Sequence, residues 1–327
     1  MLLDILFWLT LFITSYIAIY FLADFIIDNL EDVSDSFSIS PIVLGLVILG
    51  IDLEESIVSL TAAMDGLPYL ALGNLIGNTV IAIGIAFGIP ALYLKVEIDQ
   101  LPRFYYVELV VAGAIVLVSM ILTSYLVLFG ILSLILFIFH IIYTWQIQSE
   151  FRSSILLTKS NERVQPIDEA TDSIKKSHNR LRTIVELLIA LVFLSLAGEV
   201  LVNGAQALIS LTGFNESFFG LVIMAAVTNA EEFWLIAKSI GKGRTEMGVS
   251  AQVGKIVWNI TLIFGICSIL LVQFTFQPVM LLSSVVFIIA ISVLVINLFQ
   301  NRSSKSTGIV YLLLLMIFLV LNSLFVF

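Results

Sequence analysis

The sequence is short of charged residues. Asp, Glu, Lys and Arg make up only 12% of its 327 residues, whereas about 25% is usual in a soluble domain. Apolar residues make up 60% of the chain. This composition excludes a soluble globular domain with a fully solvated surface and predicts a polytopic membrane protein. The net charge of −9 is therefore no sign of a nucleic-acid partner, and we expect none.

The residues that build zinc, redox and nucleophilic sites are also scarce. Cys267 is the single cysteine, which excludes an internal disulfide, and we expect its side chain to pack between helices. His140 and His178 are the two histidines, and we expect neither to be functional. The chain has no G-x-x-x-x-G-K-[ST] sequence for ATP binding. We therefore expect neither an enzyme nor a bound cofactor.

What the chain has in abundance is long apolar runs. A bilayer core needs about 20 apolar residues per helix, and cutting the runs at polar, turn-rich breaks predicts ten spans. They are expected at residues 2–28, 38–64, 68–95, 104–124, 126–147, 182–210, 215–238, 247–272, 277–298 and 307–327. The long hydrophilic segment 148–181 is predicted to be a linker that divides the chain into halves 1–147 and 182–327.

The positions of Lys and Arg predict the orientation of these spans, because basic residues stay cytoplasmic in short loops. With the N-terminus outside, 14 of the 15 basic residues fall in cytoplasmic connections, including segment 148–181. The remaining one, Lys255, lies inside the eighth span. We expect a multi-pass protein of the cell membrane whose N-terminus is outside.

An internal repeat relates the two halves. Residues 53–83, "LEESIVSLTAAMDGLPYLALGNLIGNTVIAI", align without a gap on residues 230–260, "AEEFWLIAKSIGKGRTEMGVSAQVGKIVWNI", at an offset of 177. Including the upstream residues, the repeats cover about 41–83 and 216–260. An odd number of spans separates the copies, so they cross the membrane in opposite directions. This inverted repeat is typical of secondary transporters, whose substrate site lies at the midplane between the repeats.

The repeats place carboxylates inside apolar spans, in "GIDLEE" and in "TNAEE". An unpaired carboxylate at membrane depth costs a few kcal/mol or more, so it persists where it faces a cavity, a cation or a proton. Opposed carboxylates with amide and hydroxyl oxygens nearby favour hard cations such as Ca²⁺ or Na⁺.

These windows resemble the cation/Ca²⁺ exchanger superfamily, whose sodium/calcium exchangers carry two inverted alpha-repeats. Family repeats read roughly G-T-S-x-P-E, with eighteen residues from that Glu to the first Gly of G-N-x-x-G-S-N-x-x-N. Here Glu55 to Gly73 is eighteen residues, Glu232 to Ser250 is eighteen, and "ALGNLIGN" matches the second element. The resemblance implies an all-α transmembrane fold of ten helices in two inverted five-helix repeats.

The resemblance also implies a set of site residues. Glu55 and Glu232 occupy its two essential acid positions and would be the main cation ligands. The further ligand positions fall on Asp52, Asn78, Thr228, Asn229 and Asn259.

Several positions depart from the family pattern. Glu54 and Glu231 replace the family prolines, and we expect them to compensate charge or couple ions. Asn78 and Lys255 replace the family Ser of the second element. The Lys255 ammonium would put a fixed positive charge where a Na⁺ ion is expected, and a buried Lys can also exchange protons.

Two functions follow as alternatives. The first is a secondary active antiporter that exchanges Ca²⁺, or a related divalent cation, for H⁺ or Na⁺ by alternating access. The second is a non-transporting sensor or partner protein on an exchanger scaffold, with Lys255 replacing a bound cation. In both, the expected partners are the lipid bilayer and inorganic cations.

Overall fold

The computed structural model describes residues 2–35, 46, 50–93, 101–161, 172–229, 245–300 and 304–326, and every regular element in these ranges is helical. Side chains at 23, 26–35, 150–184, 187 and 245–247 are not described. The helical segments are α1 Leu2–Asp35, α2 Leu53–Met64, α3 Pro68–Tyr93, α4 Arg103–Ile121, α5 Leu126–Asn161, α6 Asp172–Thr212, α7 Glu216–Thr228, α8 245–271, α9 Pro278–Phe299 and α10 Lys305–Ser323.

Eight of these helices are long and apolar enough to cross a membrane, and α2 and α7 are shorter. The prediction of an all-α transmembrane fold is confirmed. One predicted span is not a continuous helix, because the chain turns at Gly50 and is non-helical at Ile51 and Asp52 before α2 begins. Non-helical backbone at membrane depth is tolerated where it is enclosed by protein or lines a cavity.

The hydrophilic segment between the halves is more helical than predicted. Helix α5 continues to Asn161 and α6 begins at Asp172, so much of 148–181 extends the two adjoining helices. Residues 162–171 lie outside the described ranges.

The helices differ sharply in how deeply they are enclosed. In α3 and α8, 83% and 72% of the membrane-crossing residues are buried, against 17% in α1 and 22% in α10. Helix α1 lies along α6 at the rim, while α4 packs against α9 and α5 against the end of α8. The third helix of each half therefore lies at the centre of the bundle, as an inverted repeat requires.

Two close helix crossings show the symmetry directly. A Cβ atom at Gly77 of α3 would lie 2.0 Å from the carbonyl oxygen of Leu221 in α7. A Cβ atom at Gly254 of α8 would lie 2.5 Å from the carbonyl oxygen of Leu46. Gly77 and Gly254 are equivalent in the repeat alignment. Each half therefore buries the backbone of its own third helix against the second helix of the other half.

Widened helical turns also recur in both halves. Residues Ile83–Phe87 of α3 and Trp258–Ile263 of α8 are π-helical, at nearly equivalent repeat positions. Residues Phe219–Met224 of α7 are π-helical as well, and so is Leu46. Such turns are frequent at functional sites because they displace backbone groups from the regular ladder.

The start of α3 is held by the other half. The backbone amides of Tyr69 and Leu70 each donate to Glu216 Oε1 at 3.0 Å. These amides have no partner inside their own helix, and a carboxylate there also faces the positive end of the helix dipole. Glu216 therefore joins α7 to α3 near one membrane surface.

Replacing Gly77 with Ala is expected to destabilise the fold by about 2 kcal/mol, because backbone would have to move to relieve the overlap with Leu221. The midpoint of thermal unfolding in detergent should fall accordingly. The matched control is Gly204→Ala, since a Cβ there meets Phe12 no closer than 3.4 Å. Equal unfolding midpoints for the two variants would contradict the close crossing of α3 and α7 at Gly77.

Candidate cation site

The candidate site begins at the helix break before α2. Asp52 caps this helix, and its Oδ1 accepts the backbone amide of Glu55 at 3.2 Å. The Ser56 hydroxyl donates to the Asp52 carbonyl oxygen. The first turn of α2 therefore directs free amide groups, and the positive end of its dipole, at the carboxylate of Asp52.

The carboxylate of Glu55 is held by two amides of α3. Its side chain is 1% exposed, and Nδ2 atoms of Asn74 and Asn78 donate to Oε2 and Oε1. The two asparagines are four residues apart and so share one face of α3. Asn74 also donates to Ser59 Oγ at 3.1 Å. These bonds hold the acid-bearing helix against the central helix of its own repeat.

The second repeat contributes donors to the same cluster. Asn259, in the π-helical turn of α8, donates from Nδ2 to Asp52 Oδ2 at 2.8 Å. Its neighbour Trp258 donates from Nε1 to Ser56 Oγ at 2.8 Å. The carboxylate at the helix break therefore bridges the two halves of the protein.

The end of α7 closes the cluster from another side. Asn229 follows the last residue of α7 and donates from Nδ2 to the carbonyl oxygens of Asn78, at 3.2 Å, and Ala225, at 2.8 Å. Thr228 is buried, and its hydroxyl donates to the Met224 carbonyl oxygen at 3.1 Å. Its lone pairs remain able to accept a hydrogen bond or contact a cation.

Three amide oxygens in this cluster have no hydrogen-bond donor. Oδ1 of Asn74, Asn229 and Asn259 is buried and unpaired within the described part of the chain. In each of these residues the amide nitrogen already donates to a carboxylate or a carbonyl oxygen. An unsatisfied buried acceptor costs about 1–3 kcal/mol. Amide and carboxylate oxygens are the ligands that hard cations prefer, so a cation would satisfy these atoms.

Among the described residues, the cluster holds more acidic than basic groups. Asp52, Glu54 and Glu55 are all buried, and Lys255 is 7% exposed on α8, one turn before Asn259. A charge in such an apolar setting is stable only when a partner, a cation or a proton balances it. The described residues contain no compact group of three or more Asp, Glu, His or Cys ligands. The described part of the cluster therefore offers amide oxygens as well as carboxylates to a cation.

The structure brings together most of the residues that the resemblance implied. Asp52, Glu55, Asn78, Asn229 and Asn259 are joined by the hydrogen bonds above. Glu231 and Glu232 lie outside the described residues, so the opposed pair of Glu55 and Glu232 stays a prediction.

Sequence reasoning missed several members of the cluster. Asn74 is the clearest, although "GNLIGN" places it four residues before Asn78 and hence on the same helix face. Ser56, Ser59 and Trp258 had no signal of their own, because serines and tryptophans recur throughout the spans. Cys267 is buried and donates to the Ser59 carbonyl oxygen at 3.5 Å, which fits its predicted packing role.

Comparison with known proteins finds relatives across both halves. The sequence profile described as "Sodium/calcium exchanger protein" matches residues 7–146 and 183–324. The inner membrane protein YrbG of Escherichia coli (strain K12) is 24% identical over 266 residues, which cover 78% of each chain.

Two solved structures share the fold. The sodium-calcium exchanger NCX_Mj superposes with a TM-score of 0.61 at 19% identity, covering 96% of this chain and 98% of its own. The H⁺/Ca²⁺ exchanger CAX superposes with a TM-score of 0.73 at 17% identity, covering 97% of this chain and 85% of its own. These matches confirm the predicted exchanger-like fold, and the profile covers nearly all of both halves. The chain belongs to the sodium/calcium exchanger protein family.

Proposed function

We propose that this protein is a secondary active antiporter that exchanges Ca²⁺, or a related divalent cation, for H⁺ or Na⁺. Family membership supports cation exchange as the general activity. The observation that carries the proposal is the set of amide oxygens, unpaired within the described residues, that lie beside the buried carboxylates Asp52 and Glu55. A polar cluster at the meeting point of two inverted halves is where a transporter of this kind holds its substrate.

The chemistry of the cluster favours Ca²⁺ over other divalent cations. Ca²⁺ accepts six to eight oxygen ligands in a flexible arrangement, about 2.3–2.6 Å away. The cluster offers carboxylates from Asp52 and Glu55 and amide oxygens from Asn74, Asn229 and Asn259. Glu232 is proposed to complete this set from the second repeat. Mg²⁺ requires a tighter octahedron and usually keeps several waters, so it fits such mixed ligands less well.

The repeat alignment gives Lys255 a specific role. Lys255 is equivalent to Asn78, just as Glu232 is equivalent to Glu55. Since the Asn78 amide donates to Glu55, we propose that the Lys255 ammonium lies against Glu232 in the same relation. A fixed positive charge there would take the place of a Na⁺ ion. It would also leave proton exchange among the carboxylates as the counter-flux, which favours H⁺ over Na⁺.

Alternating access needs one group of helices to move against another. Helix α1 lies along α6, and both have much of their length exposed at the rim. Helix α6 meets α2 closely at Gly198, where a Cβ would lie 2.0 Å from Ile57 Cγ2. We propose that α1 and α6 move together against the central helices α2, α3, α7 and α8, opening the site to either side in turn.

The distribution of basic residues supports an orientation. We propose that the N-terminus is outside and that segment 148–181 is cytoplasmic, because this arrangement places 14 of the 15 basic residues in the cytoplasmic connections.

Lys255 also favours the alternative function. If its ammonium occupies the place of a cation permanently, the protein would be a non-transporting sensor or partner on an exchanger scaffold. The burial of Lys255 beside the cluster is the observation behind this second candidate.

The substitution Glu55→Gln is expected to reduce Ca²⁺ flux at least tenfold, since an amide supplies one oxygen ligand and no charge. Flux would be measured in proteoliposomes with an imposed H⁺ or Na⁺ gradient. Asp65→Asn is the matched control, because Asp65 is an exposed carboxylate at the other end of α2. Wild-type protein that moves no cation under either gradient would rule out the antiporter, and an active Glu55→Gln variant would rule out this site.

The substitution Lys255→Ser is expected to raise the affinity for Ca²⁺ about tenfold or more, and to make transport respond to Na⁺. Removing a nearby positive charge strengthens cation binding at short range. Binding would be measured by isothermal titration calorimetry, with Lys305→Ser on exposed α10 as the control. If the wild-type protein binds no cation and the variant does, the non-transporting scaffold is the correct function.

A further inference from the structure

A buried acid and a histidine meet away from the candidate cation site. His140 Nδ1 on α5 lies 2.9 Å from Glu108 Oε2 on α4, and the two side chains are 3% and 0% exposed. No sequence motif predicts a role for His140. Its burial beside a carboxylate makes this pair the clearest titratable group that the proposed transport site does not use.

The surroundings of the pair are mostly aromatic. The Phe137 ring stacks on the His140 ring with centroids 5.9 Å apart, and the Tyr105 ring meets its edge at 5.5 Å. One turn away, Tyr105 and Thr144 share a hydrogen bond of 2.8 Å between the same two helices. Glu108 Oε1 is buried and has no hydrogen-bond partner within the described residues. One carboxylate oxygen is thus satisfied by His140, and the other remains open to a proton.

We propose that Glu108 and His140 form a second proton-binding site that responds to pH and acts on the cation site. A carboxylate and a neutral imidazole together carry one negative charge. When they share one added proton, the pair is neutral overall, whether as an ion pair or as two neutral groups. Gaining a second proton leaves a net positive charge, and losing the shared proton leaves a net negative charge. Because the pair is enclosed, either change must be answered by movement of the surrounding helices or by entry of water.

Among the residues that the structure describes, few other ionisable groups lie near the pair. Helix α9, which packs against α4, has none along its length, and neither has the Trp258–Ile263 segment of α8. The other ionisable side chains that the structure describes on α4, α5 and the elements packed against them are Arg103, Tyr105 and Tyr106 on α4, Tyr125 between α4 and α5, Tyr143 on α5, and Lys255 and Cys267 on α8. Tyr105 is the nearest of these whose contact with the pair is defined, through the ring of His140.

A continuous series of contacts joins this pair to the cation site. The Phe137 ring, stacked on His140, meets the Trp258 ring edge-to-face at 5.6 Å. Trp258 donates to Ser56 Oγ, and Ser56 donates to the carbonyl oxygen of Asp52. A shift of the His140 ring therefore reaches the helix break at Asp52 through packed rings and two hydrogen bonds.

The position of the pair indicates which compartment it senses. Glu108 follows Arg103 by five residues, and Arg103 belongs to a cytoplasmic connection in the proposed orientation. The pair would then report cytoplasmic pH to the site. This part of the inference rests on the proposed function, whereas proton binding by the pair does not.

Proton binding can be tested without transport, because the chain has only two histidines. In a His178→Gln background, the imidazole signals of ¹⁵N-labelled protein in nanodiscs report His140 alone. We expect that signal to titrate, and its midpoint to move by about one pH unit or more in Glu108→Gln, which keeps a hydrogen-bonding side chain. A signal that does not titrate, or a midpoint unchanged by Glu108→Gln, would overturn the proton site.

Coupling to the cation site is tested by the dependence of Ca²⁺ flux on internal pH in proteoliposomes. We expect Glu108→Gln and His140→Gln each to shift or flatten this profile, with maximal flux within about twofold of wild type. The double variant Glu108→Gln/His140→Gln has two neutral amides that still hydrogen-bond. Its dependence of flux on pH should therefore match that of the single variants. Tyr105→Phe, which removes the neighbouring hydrogen bond only, should keep the wild-type profile. Unchanged profiles in all variants would overturn the coupling, and a wild-type protein without flux would refute the proposed function while leaving the titration result valid.

Discussion

A carboxylate inside a bilayer cannot remain ionised unless hydrogen-bond donors, a cation or a proton stabilise its charge. This constraint explains the arrangement around Glu55 and Asp52. The first turn of α2 supplies the backbone amide of Glu55 to Asp52, and the asparagines of α3 supply side-chain amides to Glu55. The close crossing at Gly77 brings α7 near enough for Asn229 to reach the Asn78 carbonyl oxygen. The packing of the central helices thus places hydrogen-bond donors against the carboxylates that they enclose.

The two repeats share a backbone design but differ in chemistry. Gly77 and Gly254 make equivalent crossings, and π-helical turns occur at nearly equivalent places. These features depend on backbone packing, where any side chain at the glycine would overlap the facing helix. Asn78 and Lys255 occupy equivalent positions without sharing charge, since a side chain lining a polar cluster can change while the crossing stays intact. An inverted repeat can therefore keep its fold while its ion chemistry diverges.

The sequence was sufficient for the architecture but not for the contacts. Apolar runs and the offset of 177 residues predicted the helices and the repeat, because both are properties of pattern. The break at Gly50 was missed, since hydropathy is the same whether the chain stays helical or turns. Helix α5 extends to Asn161 and α6 begins at Asp172, and neither extension was predicted. A polar composition indicates exposure to water but does not exclude a helix. The pair of Glu108 and His140 joins two helices, and no local sequence pattern predicts such a contact.

In the proposed transport cycle, the asparagines of the cluster keep the site intact with and without its ion. Each amide of Asn74, Asn229 and Asn259 uses its nitrogen to hold an acceptor in place, and its oxygen has no partner among the described residues. The carboxylates are therefore positioned before any cation arrives, and the ligand oxygens require no rearrangement of the nitrogen-mediated bonds. A transported ion must also leave, so ligands that bind through neutral oxygens suit the task better than a dense group of carboxylates. In the proposed antiporter, the acidic ligands set the total charge of the site, and with it the number of protons or other cations that take the place of the departing ion.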